Sequence, residues 1–455
     1  MKKITVIGSG ATGTLLVVNL IKHAENKALE INLVEKKERI GRGVAYSTVK
    51  DFHLLNVPAA KMGAFPDDIE HFHRWLAEKN YAFKPNDFVP RRIYGEYLRE
   101  LFSETFKNKN PNIIVNVLDD EAIDVLVDDE QMQVVLKSGE ILYSDRVVLA
   151  FGNFLPPHPK SASQSFVEAE KYFRNPWRAD LADKISESDD VFIIGTGLTF
   201  ADVVMSLYHN NHKGKIIGFS TRGLLPAVHR LGFTYPSFAD ELKSQTRITD
   251  LLKIVRRHVE KAESDSSDWR AVIDSLRPQT QEIWQTLPEA EKRYFMQHLS
   301  RYWNVARHRI PPECAAILDE LQEKNQLQIL KGRLRNIETN GNGKFEIAFT
   351  AGGAETRLSA DAVVNCIGSE SNFNRIESPL VKSLLYRGLI KTDRLKMGID
   401  AVPDGRTIDK NGAVSEKILT VGTALKGVLW ESTAMPEIRA QTHKLALSLL
   451  NGRTQ

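Results

Sequence analysis

A strand, a glycine-rich turn and a helix follow one another at the start of the chain. Residues 3–7 are a short apolar run, Gly8, Gly10 and Gly13 complete a GxGxxG pattern, and residues 14–23 carry apolar side chains at helical spacing. The first glycine of such a pattern permits a tight turn, the second lets a pyrophosphate approach the backbone, and the third lets the helix pack on the strand. The pattern predicts an α/β dinucleotide-binding fold, with the phosphates at the helix N-terminus.

An acidic residue follows at the position where a ribose would need it. Residues 29–35 alternate in polarity as a second strand, and Glu35 comes at its end, about twenty residues after the last glycine. A carboxylate there can accept hydrogen bonds from ribose hydroxyls. Strand, helix and acid together favour a nucleotide site over a plain turn. The predicted contacts are Gly8, Ser9, Gly10, Ala11, Thr12, Gly13 and Glu35.

The pattern returns near the middle of the chain, with one departure. A strand–glycine–helix unit spans residues 191–208, but Phe200 occupies the position of the third glycine. A bulky residue there should spread helix and strand apart, so a plain strand-to-helix turn stays open beside a nucleotide site. No acid ends the next strand; Ser220, Thr221 and Arg222 stand there instead, and arginine suits the 2′-phosphate of NADPH, although it could equally be a solvated surface cation. The predicted contacts are Gly195, Thr196, Gly197, Leu198, Ser220 and Arg222.

Composition excludes several classes of function. The 455 residues are 42% apolar and 26% charged, an ordinary globular balance, and this length is typical of two or three domains. A net charge of +3 is too small to indicate nucleic-acid binding. No apolar run approaches a membrane span and no signal peptide is recognisable, so we expect a cytoplasmic protein that does not insert into membranes.

Cysteine and histidine usage argues against thiol and metal chemistry. Cys314 and Cys366 are the only cysteines, which speaks against a disulfide framework and provides no CxxC motif for zinc or dithiol redox chemistry. No pair of histidines lies in a recognised ligand motif, so we expect no metal.

Two similar segments indicate how the chain is divided. Residues 144–153 and 360–369 share an aspartate, two valines and a glycine in the same register, either by coincidence or because each returns to its own dinucleotide-binding fold. Prolines mark a linker near residues 154–160, and the pattern from 240 to 326 is mostly helical. A C-terminal strand, glycine turn and long helix would complete a discontinuous first domain. The predicted division is 1–155 for its first part, 156–326 for the second dinucleotide domain with the helical insert at about 240–326, and 327–455 for a second meander and the completing part.

Two dinucleotide folds in one chain point to electron transfer between two nucleotides. One site would hold FAD permanently, and the other would admit NADPH or NADH to reduce it. The chemical reactivity would then belong to the flavin.

A series of motifs along nearly the whole chain resembles one family of flavoproteins. The segments are GRGVAYST (41–48), HLLNVPAAKMGAFPDD (53–68), FVPRRIYGEYL (88–98), GTGLTFAD (195–202), STRGLLPAVHR (220–230), RHRIPP (307–312) and WESTAMPEIRAQ (430–441). They look like the FAD/NAD(P)-binding family that includes FAD-dependent urate hydroxylase and aspartate N-monooxygenase. The resemblance implies FAD in the first fold, NAD(P)H in the second, and hydroxylation with molecular oxygen as co-substrate.

The resemblance also implies a set of flavin contacts beyond the glycine loop. "TVGTAL" lacks the Gly-Asp pair that many flavoproteins carry after the last strand, which puts a side-chain contact to the ribityl phosphate in doubt. The implied contacts to FAD are Arg42, Gly43, Tyr46, Asn56, Gly152 and Gly422.

The resemblance implies a small polar metabolite as substrate. We expect cationic side chains from distant parts of the chain to bind it. Urate and aspartate are both anionic, and fixed cations in a water-poor pocket would orient such molecules. The candidates are Lys61, Arg301, Arg307 and Arg439, and each of them could instead be a surface cation or part of a structural salt bridge. Two alternatives stay open: an NAD(P)H-dependent flavin reductase or oxidase without oxygen insertion, and a redox sensor that binds both nucleotides without turnover. The sequence leaves the oligomeric state undetermined.

Overall fold

The protein is described from a computed structural model, which covers residues 1–35, 39–128 and 131–451. The helices are α1 (Ala11–His23), α2 (Gly43–Tyr46), α3 (His71–Glu78), α4 (Arg91–Lys107), α5 (Leu198–His209), α6 (Ala239–Lys243), α7 (Ile248–Ser264), α8 (Trp269–Ser275), α9 (Thr280–Thr286), α10 (Glu289–His298), α11 (Ser300–Arg307), α12 (Pro312–Glu323), α13 (Pro379–Tyr386), α14 (Lys426–Leu429) and α15 (Met435–Asn451).

The strands alternate with these helices. They are β1 (Lys2–Ile7), β2 (Leu29–Val34), β3 (Ile113–Leu118), β4 (Ala122–Val127), β5 (Met132–Leu136), β6 (Ile141–Ser144), β7 (Arg146–Leu149), β8 (Tyr172–Phe173), β9 (Val191–Ile194), β10 (Ile216–Ser220), β11 (Leu327–Lys331), β12 (Arg333–Thr339), β13 (Phe345–Ala351), β14 (Ala354–Ala360), β15 (Ala362–Asn365), β16 (Arg406–Ile408) and β17 (Val414–Thr420).

The first sheet brings the two ends of the chain together. Its order is β16-β17-β7-β1-β2-β3, and its pairs are parallel except for β16 with β17. Apolar side chains of α1, α4 and α15, among them Leu15, Leu98 and Leu445, form a core on one face. The meander β4–β6 and α13 cover the other face. Because both faces are covered, β1 is apolar and buried along most of its length.

The second sheet repeats the parallel arrangement. Its order is β11-β10-β9-β15-β8, with α5 and α12 on one face and the meander β12–β14 on the other. Pairing continues past residue 326, since β11 lies beside β10 and β15 beside β9. The boundary predicted at 326 therefore falls inside this sheet. Pairing between distant strands decides that edge, and local composition does not reveal it.

Helices α6–α11, which follow β10 and precede α12 in the sequence, pack together as a separate layer. Their buried side chains, such as Leu242, Val272 and Phe295, pack on one another and on Trp430 from the C-terminal segment. The predicted insert of 240–326 is thus shorter in the structure, because α12 packs on the second sheet. In the part of the chain that the structure describes, no helix is both long and apolar enough to cross a membrane.

Candidate active site

The three glycines of the N-terminal loop do not serve the same purpose. Gly8 has φ +104°, and a Cβ there would lie 2.5 Å from the carbonyl oxygen of Ala150. A Cβ on Gly13 would lie 1.8 Å from the carbonyl oxygen of Gly8. Gly10 differs: its φ is −60°, and a Cβ would meet its nearest neighbour, Gly43 Cα, at an ordinary 3.5 Å. Packing therefore demands the first and third glycines, and the second is left available to a ligand.

The loop carries a buried hydroxyl that the protein itself does not use. Ser9 is 1% exposed, and its Oγ has no hydrogen-bond partner within the described residues. Its carbonyl oxygen accepts bonds from Thr14 Oγ1 (2.8 Å) and the Gly41 amide (2.9 Å), which fix the loop. Buried polar atoms without partners are rare in proteins. A fixed loop with an unused buried hydroxyl, ahead of a helix N-terminus, fits a bound pyrophosphate.

The other predicted FAD contacts gather around this loop. Gly43 begins α2 directly over Gly10. Val34 pairs with Ile7, so Glu35 stands beside the loop, with Arg39 Nη1 3.8 Å from its carboxylate.

The C-terminal contacts reach the same edge of the first sheet. A Cβ on Gly422 would lie 3.0 Å from Thr12. Thr423 Oγ1 donates to the carbonyl oxygen of Phe151 (2.7 Å), next to Gly152, which is exposed. The parallel strands β1, β7 and β17 end at this edge, which is why residues so distant in sequence meet there.

In the second glycine loop, a phenylalanine takes the position of the third glycine, and a glycine in the neighbouring strand makes room for it. Gly195 has φ +102°, and a Cβ there would lie 2.3 Å from the carbonyl oxygen of Cys366. Phe200 is fully buried, and its ring occupies the space over Gly218 of β10, where a Cβ would lie 2.7 Å from Phe200 Cε2. The aromatic ring is thus accommodated because the neighbouring strand provides a glycine. A Cβ on Gly197 would meet no atom within 4 Å in the described structure, which leaves room for a ligand.

The residues expected at a 2′-phosphate lie at the end of β10. Ser220 Oγ accepts hydrogen bonds from Thr196 Oγ1 and from the Gly223 amide, both at 2.9 Å. Arg222 is exposed, and no ion pair to it occurs among the described acids. Ser220 is therefore already used in shaping the turn, and Arg222 is the side chain available to a ligand.

A histidine links the motif around Asn56 to the motif before the helical insert. His229 Nε2 lies 2.9 Å from the carbonyl oxygen of Asn56, so Nε2 carries the proton. Burial lowers the pKa of His229 to about 4, so the ring is neutral at pH 7. Nδ1 is then an acceptor, and it is buried without a partner in the described chain.

Arg307 ends α11 with guanidinium nitrogens that its surroundings do not satisfy. Nε and Nη2 are buried and make no hydrogen bond to any described residue. Burial, together with the neighbouring charge of Arg277, lowers the pKa of Arg307, and Glu431 and Glu437 oppose this effect. Glu437 is itself held by Arg277 in a two-point ion pair of 2.6 and 2.7 Å. We call His229, Arg277, Arg307, Glu431 and Glu437 the polar cluster.

The segment before α15 closes the polar cluster. Glu431 is 3% exposed and accepts a hydrogen bond from Trp303 Nε1 (2.8 Å). Ser432 Oγ and Trp430 Nε1 are buried without partners in the described ranges. His308, beside Arg307, has its pKa lowered by burial. Buried polar atoms without partners are rare in proteins, so these atoms mark the segment as a candidate ligand site.

The four predicted substrate cations differ in burial, and Arg439 lies within range of the charges of Arg277 and Glu437 in the polar cluster. Lys61 and Arg301 are exposed, and Arg301 Nη1 donates to the Gln297 carbonyl oxygen of the preceding helix α10, at 3.5 Å. Arg439 Nη1 donates to the carbonyl oxygens of Lys61 and Gly63, both at 3.2 Å, and so fastens α15 to that loop. Arg307 is the candidate with unused buried donors. Within the described chain, no group of three or more histidine, cysteine or acidic side chains is arranged to hold a metal.

Sequence reasoning missed most of the polar cluster. Glu431 and Glu437 lie inside a recognised motif, so the motif was a usable signal for them. Arg277 lies in no motif, and it meets Glu437 across 160 residues of sequence. Nothing local to Arg277 could have predicted that contact.

The N-terminal third of the chain resembles a known protein family. Residues 5–154 match a family model described as FAD-NAD(P)-binding. A search of the curated proteins gives no match.

Solved structures of similar fold include two monooxygenases and a reductase. L-lysine 6-monooxygenase from Pseudomonas syringae is 14% identical, with 100% of both chains covered and a TM-score of 0.66. An ornithine N-hydroxylase from Kutzneria sp. 744, solved with reduced FAD, NADP⁺ and L-ornithine, is 12% identical over 99% of both chains, with a TM-score of 0.65. A bacillithiol disulfide reductase from Bacillus cereus is 14% identical over 99% of both chains, with a TM-score of 0.56. The predicted fold is confirmed: residues 5–154 match a FAD-NAD(P)-binding family model, and the whole chain has the α/β fold of flavoprotein monooxygenases and reductases, with two parallel sheets.

Proposed function

We propose that the protein is an FAD-dependent monooxygenase that uses NADPH, or less favourably NADH, to hydroxylate a small polar metabolite carrying an anionic group. The observation that carries the proposal is the polar cluster, in which His229 Nδ1 and Arg307 Nε and Nη2 are buried without partners among the described residues, as is Ser432 Oγ directly after Glu431. FAD, when bound, would supply hydride acceptance and oxygen activation. The chain's own residues would bind, orient and exclude water.

The first loop would hold the FAD. Ser9 Oγ would donate to the pyrophosphate, and the backbone at Gly10 leaves room for it. Glu35 would accept from the ribose hydroxyls, and Gly152 and Gly422 would border the flavin from the parallel strands that end beside the loop. The remaining predicted contacts, Arg42, Gly43, Tyr46 and Asn56, lie on the segments that cover the loop or reach the polar cluster.

The second loop would admit the nicotinamide nucleotide. Gly197 leaves open space at the start of α5 for a pyrophosphate. Arg222, at the end of β10, would receive the 2′-phosphate, which favours NADPH over NADH.

The cysteines favour oxygen chemistry over dithiol reduction. The reductase among the structural neighbours is named for a disulfide substrate. In this chain Cys314 and Cys366 are free and buried, and burial raises the pKa of Cys314 to about 12 and that of Cys366 well above its ordinary value. Buried thiols with raised pKa values are poor nucleophiles for thiol–disulfide exchange.

The polar cluster would receive the substrate. Arg307 would bind its anionic group by charge-assisted hydrogen bonds, and neutral His229 would accept a hydrogen bond through Nδ1. L-ornithine and L-lysine, which appear in the names of two structural neighbours, are amino acids with a carboxylate and a free amine. If the substrate of this protein also carries a free amine, N-hydroxylation is favoured over C-hydroxylation.

The reaction stoichiometry, measured over a panel of anionic metabolites, tests this proposal. For each compound we would measure the NADPH and oxygen consumed, the hydrogen peroxide released and the hydroxylated product formed. The proposal predicts at least one compound for which product approaches NADPH consumed and peroxide is minor. Peroxide equal to NADPH with every compound would support an oxidase instead, and no NADPH consumption at all would support a binding protein.

A further inference from the structure

The helical insert contains an apolar cavity beside the polar cluster. Its volume is about 240 Å³, larger than the roughly 150 Å³ engineered apolar cavity that binds benzene. The wall comes from α6–α11 and the segment before α15, and it includes Leu251, Ile273, Trp284, Phe295 and Trp430.

Most polar groups in the cavity wall are already used within the protein. Thr280 Oγ1 donates to the Leu276 carbonyl oxygen (2.9 Å) and Trp284 Nε1 to the Gly427 carbonyl oxygen (2.9 Å). Trp430 Nε1 is buried without an acceptor in the described structure. Water needs two to four polar partners to occupy a cavity, so this cavity favours an apolar occupant over water.

The cavity and the polar cluster share a boundary. Trp303 lines the cavity and donates from Nε1 to Glu431. Ala306 lines the cavity directly before Arg307, and Trp430 does so directly before Glu431. Trp430 also has φ +61° and ψ −65°, a backbone conformation that non-glycine residues seldom adopt and that persists only where the surroundings enforce it.

We propose that this cavity binds an apolar body of the substrate, an aliphatic or aromatic group, while the anionic group lies at Arg307. The inference rests on the proposed function, because it assigns both parts to one substrate. It narrows the substrate class to anions that carry an apolar body beside their polar groups.

Calorimetric titration of the flavin-loaded protein with a series of n-alkyl carboxylates tests this inference. Acetate, butanoate, hexanoate and octanoate share the anionic group and differ only in apolar length. Each buried methylene should tighten binding about three- to four-fold until the cavity is filled. The Ala306→Phe and Leu252→Trp variants, which add bulk to the cavity wall from two different helices, α11 and α7, should each abolish this dependence on length. Val414→Phe places the same bulk at an exposed strand position and serves as the control, since its binding should match the wild type.

The outcomes separate the cavity from the proposed reaction. Equal affinity for all four carboxylates, or unchanged length dependence in whichever cavity variant retains the wild-type melting transition, would overturn the inference even if the enzyme hydroxylates small polar compounds. Length-dependent binding that the cavity variants abolish supports it, even in a protein that never couples NADPH oxidation to hydroxylation. A lack of coupling between NADPH oxidation and hydroxylation would contradict only the proposed function.

Discussion

Single residues in the two glycine loops divide into those fixed by packing and those left for a ligand. Gly8, Gly13 and Gly195 each place a virtual Cβ within 2.5 Å of a backbone oxygen. Gly10 and Gly197 have no such neighbour in the described chain. The GxGxxG pattern does not reveal this division, because it depends on which strand returns beside each glycine.

The division predicts opposite consequences for two similar substitutions. Gly10→Ala should leave the melting temperature within a few degrees of wild type, since its φ suits alanine, but flavin content should fall at least about ten-fold as the methyl group takes the pyrophosphate's space. Gly13→Ala should destabilise the protein by at least about 2 kcal/mol, because its Cβ overlaps a backbone oxygen. Visible absorbance and thermal melting measure both effects. Full flavin content in the Gly10→Ala variant would show that FAD binds elsewhere in the protein.

Arg222 should determine the preference between the two reductants. A charge-assisted contact to the 2′-phosphate contributes roughly 1.5–3 kcal/mol. Arg222→Ala should therefore raise the KM for NADPH about ten- to hundred-fold and leave the KM for NADH nearly unchanged. Steady-state kinetics with both nucleotides decide the matter. Equal rises would assign Arg222 to a part of the site that both nucleotides share.

His229 should make stability depend on pH on the acid side. Its folded pKa of about 4 lies below its ordinary value of 6.5, so between these values the unfolded chain binds more protons than the folded one. Stability is therefore complete above about pH 6.5 and falls as the pH drops toward 4, by roughly 3 kcal/mol at most from this group. Melting at pH 7.5 and pH 5 should show a smaller loss for His229→Gln than for wild type. Identical losses would assign the acid sensitivity to other groups.

At the scale of elements, the C-terminal helix is tied both to the insert and to the flavin domain. Glu437 of α15 binds Arg277 of the insert, and Arg439 binds carbonyl oxygens near Lys61. The sequence predicted the helix and its place in the first domain, since a strand, glycine turn and apolar periodicity are local signals. It predicted Arg439 as a substrate ligand but not that its Nη1 donates to the carbonyl oxygens of Lys61 and Gly63. Partners of this kind depend on the register between distant segments, which periodicity does not encode.

Breaking the buried pair between these elements should cost much more than breaking an exposed one. Glu437→Ala leaves Arg277 largely buried without its partner and should lower the free energy of unfolding by about 3 kcal/mol. Lys324→Ala removes an exposed pair with Glu320 and should leave the denaturation midpoint unchanged. Denaturant titration of both variants measures the difference. Equal midpoints would show that the Arg277–Glu437 pair does not hold the insert in place.

At the scale of the whole molecule, the two dinucleotide folds are joined by specific polar contacts. Arg91, at the start of α4, binds Asp202 of α5 at 2.6 and 3.0 Å. His53 Nε2 lies 2.9 Å from Ser206 Oγ on the same helix. The two folds themselves were predictable from the two glycine loops. Their relative orientation was not, because no local pattern identifies Asp202 as the partner of Arg91.

The Arg91–Asp202 contact should matter for hydride transfer rather than for cofactor binding. Asp202→Ala should keep normal FAD content but slow flavin reduction by NADPH about ten-fold or more, because small displacements of reacting groups are costly. Rapid-mixing absorbance under anaerobic conditions gives this rate. A variant with the wild-type rate would show that the pair does not control the arrangement of the two folds.

Anaerobic titration of the purified, FAD-loaded protein with NADPH tests whether one chain holds two nucleotides and passes a hydride between them. We expect the yellow flavin absorbance to bleach in proportion to the added NADPH, and the bleaching to be complete near one equivalent per flavin. We also expect the colour to return when oxygen is admitted. A protein that takes up no FAD, or whose bound flavin stays oxidised with both NADPH and NADH, would show that no hydride passes between two nucleotides in this chain.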